Sequence, residues 1–193
     1  MKAEDILEFY KVLEKMKCNT RHSWTATGRQ ESVADHSFST AFLAMLIADE
    51  FPDLDMDRVI RMCLLHDIGE AVTGDIPCFE KKESDEVCEG NAVRNLFASL
   101  PAREGGRFSA LWEEMEKKES PEAKLYKILD RIDAVMEHNE ADISSWLPLE
   151  YELQVAYGRE EAKAFPFTEE WREAVVRATM EKIADSGSIA IST

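Results

Sequence analysis

The feature that most constrains this chain is an apolar segment at 59–65 that ends abruptly in His66 and Asp67, with Glu70 one turn later. The segment has the length and composition of a core helix. Burying an imidazole beside a carboxylate costs free energy unless another group offsets the loss of hydration. A divalent metal ion does so, because imidazole and carboxylate are common ligands of such ions. The segment therefore predicts a metal site at the end of a buried helix.

The charge of the chain argues against two classes of partner. Its 193 residues include 39 acidic and 23 basic side chains, which gives a net charge of −16. Polymeric nucleic acids are bound mainly through lysine and arginine, and anionic membranes attract basic surfaces, so neither is an expected partner. No apolar run approaches the ~20 residues that a membrane span needs. A small phosphorylated ligand remains compatible, because a metal ion and one or two arginines can reverse the local potential.

The N-terminus and the cysteines favour a cytoplasmic protein. The first five residues are charged and lead into an amphipathic helix, so no secretory leader is expected. The four cysteines lack the paired spacing of a zinc site, and Cys63 lies within the core-like helix. We therefore expect four reduced thiols.

Helical periodicity runs through the chain and predicts an all-α bundle of about seven to eight helices. With 45% apolar residues, one domain is expected over 1–186, followed by a flexible tail over 187–193. The segments 18–31 and 68–81 are predicted as loops, and no strand is expected. Predicted helices cover 4–17, 32–50, 56–66, 83–99, 107–118, 121–141, a segment that begins at Pro148 and a last segment from Thr168. Ser32, Asp55 and Ser120 are the predicted caps of the second, third and sixth of these helices.

The predicted core helices bring further ligands toward His66. The helix over 32–50 is apolar on every side, which predicts that it is buried, and it carries His36 near its start. Since the helix that ends at His66 is also apolar, the two should pack together. A third core helix, over 121–141, carries Asp130 and Asp133. Two histidines and two carboxylates on three helices would make a four-ligand metal site.

The two aspartates of the third helix compete for one ligand position. Asp133 lies beside the apolar stripe of that helix, whereas Asp130 lies nearly opposite, on a face with the small residues Ala123, Ala134 and Ala141. Periodicity favours Asp133. A helix buried on two faces would instead place Asp130 inward, because small residues permit a second close helix contact. The residues alone leave the choice open.

Four ordered blocks carry a resemblance to a known family. They are Glu31–His36 (ESVADH), His66–Glu70 (HDIGE), Thr73–Pro77 (TGDIP) and Lys124–Asp130 (KLYKILD). Together they resemble the HD-domain metal-dependent phosphohydrolases, and within them the YfbR-type 5′-deoxynucleotidases, over roughly residues 5–165. A lone histidine–aspartate pair is a weak signal, whereas four blocks in order with helices between them are specific.

The resemblance implies an HD-domain bundle with one divalent metal ion, and the ligands it implies are His36, His66, Asp67 and Asp130. It thereby selects Asp130 over Asp133. It further implies that Asp67 and Glu70 serve catalysis, with Glu70 positioning the attacking water or handling its proton. Two imidazoles favour a transition ion such as Mn, Co, Fe or Zn over Mg.

The resemblance also implies where a substrate binds. The nucleoside pocket would be lined by Asp75, Ile76, Pro77 and Cys78. Arg21 and Trp24 would hold the phosphate and the sugar, with Arg29 as an alternative to Arg21 because Ser23 stands where some relatives carry the arginine. The implied reaction removes the 5′-phosphate from (deoxy)nucleoside 5′-monophosphates, and the implied assembly is a homodimer.

Two other functions fit parts of the sequence. HD-type phosphodiesterases acting on cyclic nucleotides, or on another phosphorylated small molecule, share the His66–Asp67 pair. They usually need further histidines for a second metal, and none lies between His66 and His138. A catalytically silent helical binding protein could use the metal structurally, but four ligands leave coordination positions open. The sequence therefore favours a phosphomonoesterase.

Overall fold

The computed structural model describes residues 1–187, and within them the fold is helical as predicted. Two short strands are present, β1 (Thr20–Trp24) and β2 (Gln30–Ser32). The helices are α1 (Ala3–Cys18), α2 (Val33–Leu46), α3 (Met56–Leu65), α4 (Glu70–Thr73), α5 (Glu83–Ala98), α6 (Ala102–Lys117), α7 (Pro121–Glu140), α8 (Glu150–Ala156), α9 (Arg159–Ala162) and α10 (Pro166–Asp185). Eight of these exceed a single turn, and none of the described helices has the length and apolar content to cross a membrane.

Capping residues fix the helix starts that the sequence predicts. The Ser32 hydroxyl accepts a hydrogen bond from the Asp35 amide at 3.1 Å, and the Asp35 carboxylate accepts one from the Ser32 amide at 2.9 Å. The Asp55 carboxylate accepts from the Arg58 amide at 3.0 Å at the start of α3. The Ser120 hydroxyl does the same for Ala123 at 3.2 Å, just before α7. Each cap satisfies an amide that has no partner within its helix.

Two of the predicted loops contain regular structure. The expectation of no strand is wrong, because β1 and β2 pair as a two-stranded sheet within the segment predicted as a loop over 18–31. Both strands are too short, at five and three residues, to give a clear alternating pattern in the sequence. The loop predicted over 68–81 contains the single turn of α4.

The start of α6 also differs from the prediction. The predicted helix over 107–118 starts earlier in the structure, because α6 begins at Ala102 and runs through Gly105 and Gly106. A Cβ at Gly105 would lie 2.3 Å from the carbonyl oxygen of Phe97. This glycine therefore permits close contact between α6 and the end of α5, rather than breaking the helix.

The outer face of α2 is exposed, so the prediction that this helix is buried on every side is wrong. Phe38, Phe42, Met45 and Leu46 are between 53% and 71% exposed. The opposite face, which carries His36, Thr40 and Ala44, is buried. An apolar stripe on a helix normally faces another apolar surface.

The contacts divide the described chain into two compact units. The first comprises 1–22 and 31–126. In it α2 packs on α1 and α3, α4 packs on α1 and α5, and α6 packs on α3 and α5. This arrangement places the start of α2 beside the end of α3.

Among the described residues, the second unit comprises 23–30 and 127–187. Its core consists of α7 residues packed with residues of α9 and α10, namely Ile128, Ile132, Val135, Ala162 and Val175. The prediction of one domain over 1–186 with a tail over 187–193 stays a prediction. Of that tail only Gly187 lies among the described residues.

Candidate metal centre

The packing of α2 on α3 brings two histidines and a carboxylate together. His36 lies one turn into α2 and is fully buried, and His66 follows the last residue of α3 and is 5% exposed. Their ring centroids are 5.0 Å apart. Asp67 comes next in the chain, where the backbone turns away from the axis of α3. The predicted packing of the two apolar helices is confirmed.

The distances among these side chains suit a shared cation. Asp67 Oδ2 lies 3.1 Å from His66 Nε2 and 3.8 Å from His36 Nε2. One ligand atom from each of the three residues lies within 4.8 Å of the other two. Two ligands that each lie ~2.1 Å from one ion, at the angles of a tetrahedral or octahedral shell, are about 3–3.5 Å apart. The His66–Asp67 distance lies within this range and the His36–Asp67 distance of 3.8 Å lies just above it, so the three residues are close enough together to share one divalent ion.

The second nitrogen of His66 fixes the orientation of its ring. His66 Nδ1 lies 2.7 Å from the carbonyl oxygen of Cys63, one helical turn earlier. A carbonyl can only accept, so Nδ1 carries the hydrogen and Nε2 presents its lone pair. This backbone contact gives the tautomer that a metal-binding imidazole needs. The histidine is thus oriented by α3 itself.

Glu70 places a second carboxylate beside Asp67. It is the first residue of α4, is 5% exposed, and shares with Asp67 a cluster of oxygens within 4.8 Å of one another. Burial, followed by the charges of Asp67 and Asp75, raises the pKa of Glu70 to about 10. No hydrogen bond to Glu70 Oε2 is present among residues 1–187. A carboxylate in this setting gains strongly from a nearby cation.

Arg21 is engaged with two acidic residues of the same unit. Its Nη1 donates to Glu31 Oε2 at 2.8 Å, and its Nε lies 3.9 Å from Asp75 Oδ1. Burial raises the pKa of Asp75, and the Arg21 guanidinium opposes that effect. Asp75 therefore lies next to the cluster, as its charge on Glu70 also indicates. Arg21 balances part of the negative charge at this site.

The structure adds two acidic residues that sequence reasoning missed. Glu89 of α5 contributes an oxygen to the cluster of Asp67 and Glu70, and Glu31 binds Arg21. Glu89 reaches the site because α5 packs on Gly69, where a Cβ would lie 2.7 Å from Glu89 Cγ. The glycine of the HDIGE block is the only sequence signal for this close approach.

The remaining predicted residues are placed as follows. Ile76 and Pro77 are half-buried in the segment after α4, and Cys78 beside them is exposed. The other predicted residues belong to the second unit. Trp24 is half-buried at the end of β1. Asp130 and Asp133 are 8% and 6% exposed on α7, and Asp130 Oδ2 lies 2.6 Å from Lys127 Nζ. The roles of all these residues stay predictions.

Comparisons with known proteins agree on one family. The sequence model of the family described as HD domain matches residues 13–171. Human 5′-deoxynucleotidase HDDC2 is 33% identical over 142 residues, which cover 72% of this chain and 69% of the human protein. The 5′-deoxynucleotidase hdd1 of Schizosaccharomyces pombe is 30% identical over 145 residues, which cover 69% of this chain and 71% of the yeast protein.

A solved structure extends the similarity to the fold. The crystal structure described as a "predicted metal-dependent phosphohydrolase" from Magnetospirillum magnetotacticum superposes with a TM-score of 0.79 and is 26% identical. The match covers 93% of this chain and 95% of that protein. The similarity in fold therefore extends over nearly the whole of both proteins.

Proposed function

We propose a function for this chain from one premise: the chain belongs to the HD-domain family. It is a metal-dependent phosphohydrolase. Its reaction removes the 5′-phosphate from (deoxy)nucleoside 5′-monophosphates and yields a nucleoside and phosphate. The observation that carries this proposal is the cluster of His36, His66 and Asp67, in which one ligand atom of each residue lies within 4.8 Å of the other two.

The proposed cofactor is one divalent transition ion, Mn, Co, Fe or Zn, held by His36, His66, Asp67 and Asp130. The first three ligands are supported by their mutual distances, and Asp130 is supported by the sequence resemblance. When bound, such an ion acidifies the attacking water, neutralises charge on the phosphoryl oxygens and favours the ionised form of Glu70.

Glu70 is the proposed general base. Its Oε2 takes a proton from the water that attacks phosphorus, in line with the leaving 5′-oxygen. The contact of Asn19 Nδ2 with the Glu70 carbonyl oxygen, at 2.5 Å, holds the first turn of α4 in place. Asp67, whose carboxylate lies beside that of Glu70, orients the reacting groups. Positioning and charge stabilisation supply most of the catalysis that phosphoryl transfer needs.

The proposed substrate contacts come from the segment that follows α4 and from two residues of β1. The nucleoside would be held by Asp75 and the segment through Ile76, Pro77 and Cys78. This segment follows the single turn of α4, which begins at Glu70. Arg21 would contact the phosphate and Trp24 the sugar. Arg21 already lies beside Asp75, which supports its place near the substrate.

Phosphate release from a nucleotide panel tests this function. The protein is stripped with a chelator and assayed on ribo- and deoxyribonucleoside 5′-monophosphates with Mn, Co, Fe, Zn or Mg added back. We expect metal-dependent release of phosphate from 5′-monophosphates. Turnover of cyclic nucleotides instead would identify a phosphodiesterase. Metal binding without turnover of either substrate class would identify a silent binding protein.

The preference for deoxyribose depends on Trp24 in this proposal. An aromatic wall against the sugar discriminates against one hydroxyl only modestly, by ~10–200-fold. Trp24→Ala should therefore reduce the ratio of activity on deoxyribo- over ribonucleotides. Equal activity of the wild type on both sugars, unchanged in Trp24→Ala, would remove the deoxyribose-selective assignment and leave the phosphomonoesterase intact.

The proposed assembly is a cytoplasmic homodimer, and the exposed face of α2 supports it. Phe38, Phe42, Met45 and Leu46 together expose roughly 500 Å², taking ~200 Å² for each fully exposed side chain. A stable interface buries ~800 Å² on each partner, so this stripe supplies more than half of that area. An uncharged stripe is also self-complementary, as a two-fold interface requires. The unpaired cysteine spacing in the sequence supports a reducing compartment.

Light scattering coupled to gel filtration tests the dimer. Phe42→Glu should give a monomer, whereas Val87→Glu, which adds a charge at a residue of similar exposure on α5, should leave the dimer intact. A monomeric wild type, or a Phe42→Glu variant that stays dimeric, would contradict this interface.

A further inference from the structure

The cluster of acidic side chains carries more negative charge than the binding of a phosphate group favours. Asp67, Glu70, Asp75 and Glu89 all lie in one small region of the first unit. A phosphate monoester adds further negative charge, so its binding needs cationic groups as well as a metal ion. Arg21 is shared between the Glu31 and Asp75 carboxylates. A further cation beside the cluster would help to hold the phosphoryl group.

Lys81 is such a cation. Its Nζ lies 2.6 Å from Glu89 Oε2, and Glu89 in turn has an oxygen within 4.8 Å of oxygens of Asp67 and Glu70. Its side chain is 28% exposed, so the ammonium is neither locked in the core nor freely solvated. Burial disfavours the ammonium form, but the hydrogen bond to Glu89 and the charges of Glu89, Glu70 and Asp67 outweigh it and raise the pKa of Lys81. The group is therefore a permanent positive charge one hydrogen bond from the cluster.

A ligand-sized recess adjoins this lysine. Its volume is about 420 Å³, within the range of small-molecule sites. The recess is lined by Gly74, Ile76, Lys81, Glu89, Asn91 and Asn95. Glu89 belongs both to the wall of the recess and to the carboxylate cluster. The recess and the cluster are thus neighbouring parts of one unit, with Lys81 and Glu89 on the wall between them.

We propose that Lys81 binds a non-bridging oxygen of the substrate phosphoryl group and that Glu89 is the residue that positions it. Lys81 is then a catalytic residue, because its ammonium contacts the reacting group and stabilises the charge there. Glu89 acts through Lys81: its carboxylate holds Nζ at the edge of the cluster and limits the rotamers of the long side chain. This inference rests on the proposed phosphomonoesterase function, and inorganic phosphate, the product, probes it independently of turnover.

The test compares two adjacent lysines in the metal-loaded protein. Lys81→Met removes the proposed contact, and Lys82→Met, at an exposed side chain next to it, is the matched control. A charge-assisted hydrogen bond contributes enough for Lys81→Met to weaken inorganic phosphate binding ~10- to 100-fold. Both the inhibition constant for phosphate and its dissociation constant by calorimetry should rise, and Lys82→Met should match the wild type. Lys81→Arg should recover most of the loss, because it restores the charge.

A double-mutant cycle tests the positioning role of Glu89. Glu89→Gln should weaken phosphate binding less than Lys81→Met does, and the double variant should be no weaker than Lys81→Met alone. Additive losses would show that Glu89 acts on its own and would overturn the positioning role.

Several results would overturn the role of Lys81. They are unchanged phosphate inhibition and binding in Lys81→Met, an equal loss in Lys82→Met, or a lower melting temperature as the only effect. If Lys81→Met lost its helical circular dichroism, Lys81→Gln would be measured in the same way. A wild type without turnover would refute the proposed function, and the calorimetric comparison would still decide whether Lys81 binds phosphate.

Discussion

Each unit buries a histidine together with acidic side chains, but the two groups differ in how their polar atoms are satisfied. In the second unit, His138 Nδ1 lies 2.9 Å from the Ala134 carbonyl oxygen, and its Nε2 lies 3.2 Å from Glu150 Oε1. The other oxygen of Glu150 accepts from the Leu147 amide at 2.6 Å. Both ends of this pair are bonded within the protein. Such a pair is satisfied by the protein itself and contributes to stability.

The cluster of the first unit is built in the opposite way. His36 and His66 direct nitrogens toward a carboxylate, and a second carboxylate, Glu70, lies beside the first with a strongly raised pKa. Like charges held together at low exposure destabilise the protein on their own. They persist where a cation or a substrate offsets them, which is why perturbed acids concentrate at functional sites.

The second unit also buries one arginine, Arg172, whose charged group is bound by backbone carbonyl oxygens. This side chain is fully buried, and its guanidinium donates to the carbonyl oxygens of Gln154 at 2.6 Å and Tyr157 at 3.0 Å. These carbonyls lie at the end of α8, where no helical amide can reach them. Burial lowers the pKa of Arg172 to about 10. The guanidinium therefore caps the C-terminal end of α8. Burial of a charged group alone does not identify a functional site.

The largest expected difference between the two units is in activity. Asp67→Ala and His66→Ala should each lower turnover by at least ~1,000-fold, because the groups they remove act on the transition state. Helical circular dichroism should be retained. Asp57→Ala, at an exposed aspartate on α3, is the control and should keep full activity. Near-normal turnover of either cluster variant, in stripped buffer with the ion added back, would show that the metal site is assigned wrongly.

Metal content separates the two acids of α7. Asp130→Ala should lose bound metal when it is measured by plasma mass spectrometry, whereas Asp133→Ala should retain it. The reason is the sequence resemblance, which selects Asp130, while helix periodicity favours Asp133. A metal-free Asp133→Ala variant beside a metal-replete Asp130→Ala variant would reverse the assignment.

The bonded pair of the second unit should show its effect in stability. Glu150→Gln replaces an oxygen acceptor with a donor between the Leu147 amide and His138, so it should destabilise the protein by ~1–3 kcal/mol in urea unfolding. Glu152→Gln, at an exposed residue of α8, should change stability little. Equal unfolding midpoints for the two variants would show that the buried pair contributes nothing.

Glu70→Gln should raise stability, whereas Glu150→Gln lowers it, and its effect should be the smallest of those predicted. In metal-free protein it should increase stability, on the order of 1 kcal/mol at neutral pH, because the amide removes a buried carboxyl group with a raised pKa. Above the ordinary glutamate pKa of 4.5 the unfolded chain releases this proton while the folded chain retains it, so wild-type stability falls as pH rises. The gain in Glu70→Gln should therefore grow with pH above that value and vanish below it. Urea titrations between pH 4 and 8 measure this, and a constant or negative difference would contradict it.

Apolar spacing and capping chemistry act over a few residues, so the sequence is sufficient to predict the helical class and the caps at Ser32, Asp55 and Ser120. It also predicts that His36, His66 and Asp67 share a site, since titratable residues at the ends of apolar helices need a compensating partner, and the three side chains do lie together in the structure. It could not reveal β1 and β2, which are too short to show a period.

Which distant side chains meet depends on how the helices pack on one another. Glu89 and Lys81 join the cluster because α5 approaches Gly69 closely, and no spacing along the chain encodes that contact. The exposed stripe of α2 looks in sequence like any buried helix face, since composition does not record what covers a surface. Local interactions fix elements and their ends, whereas the packing of several elements at once fixes a site.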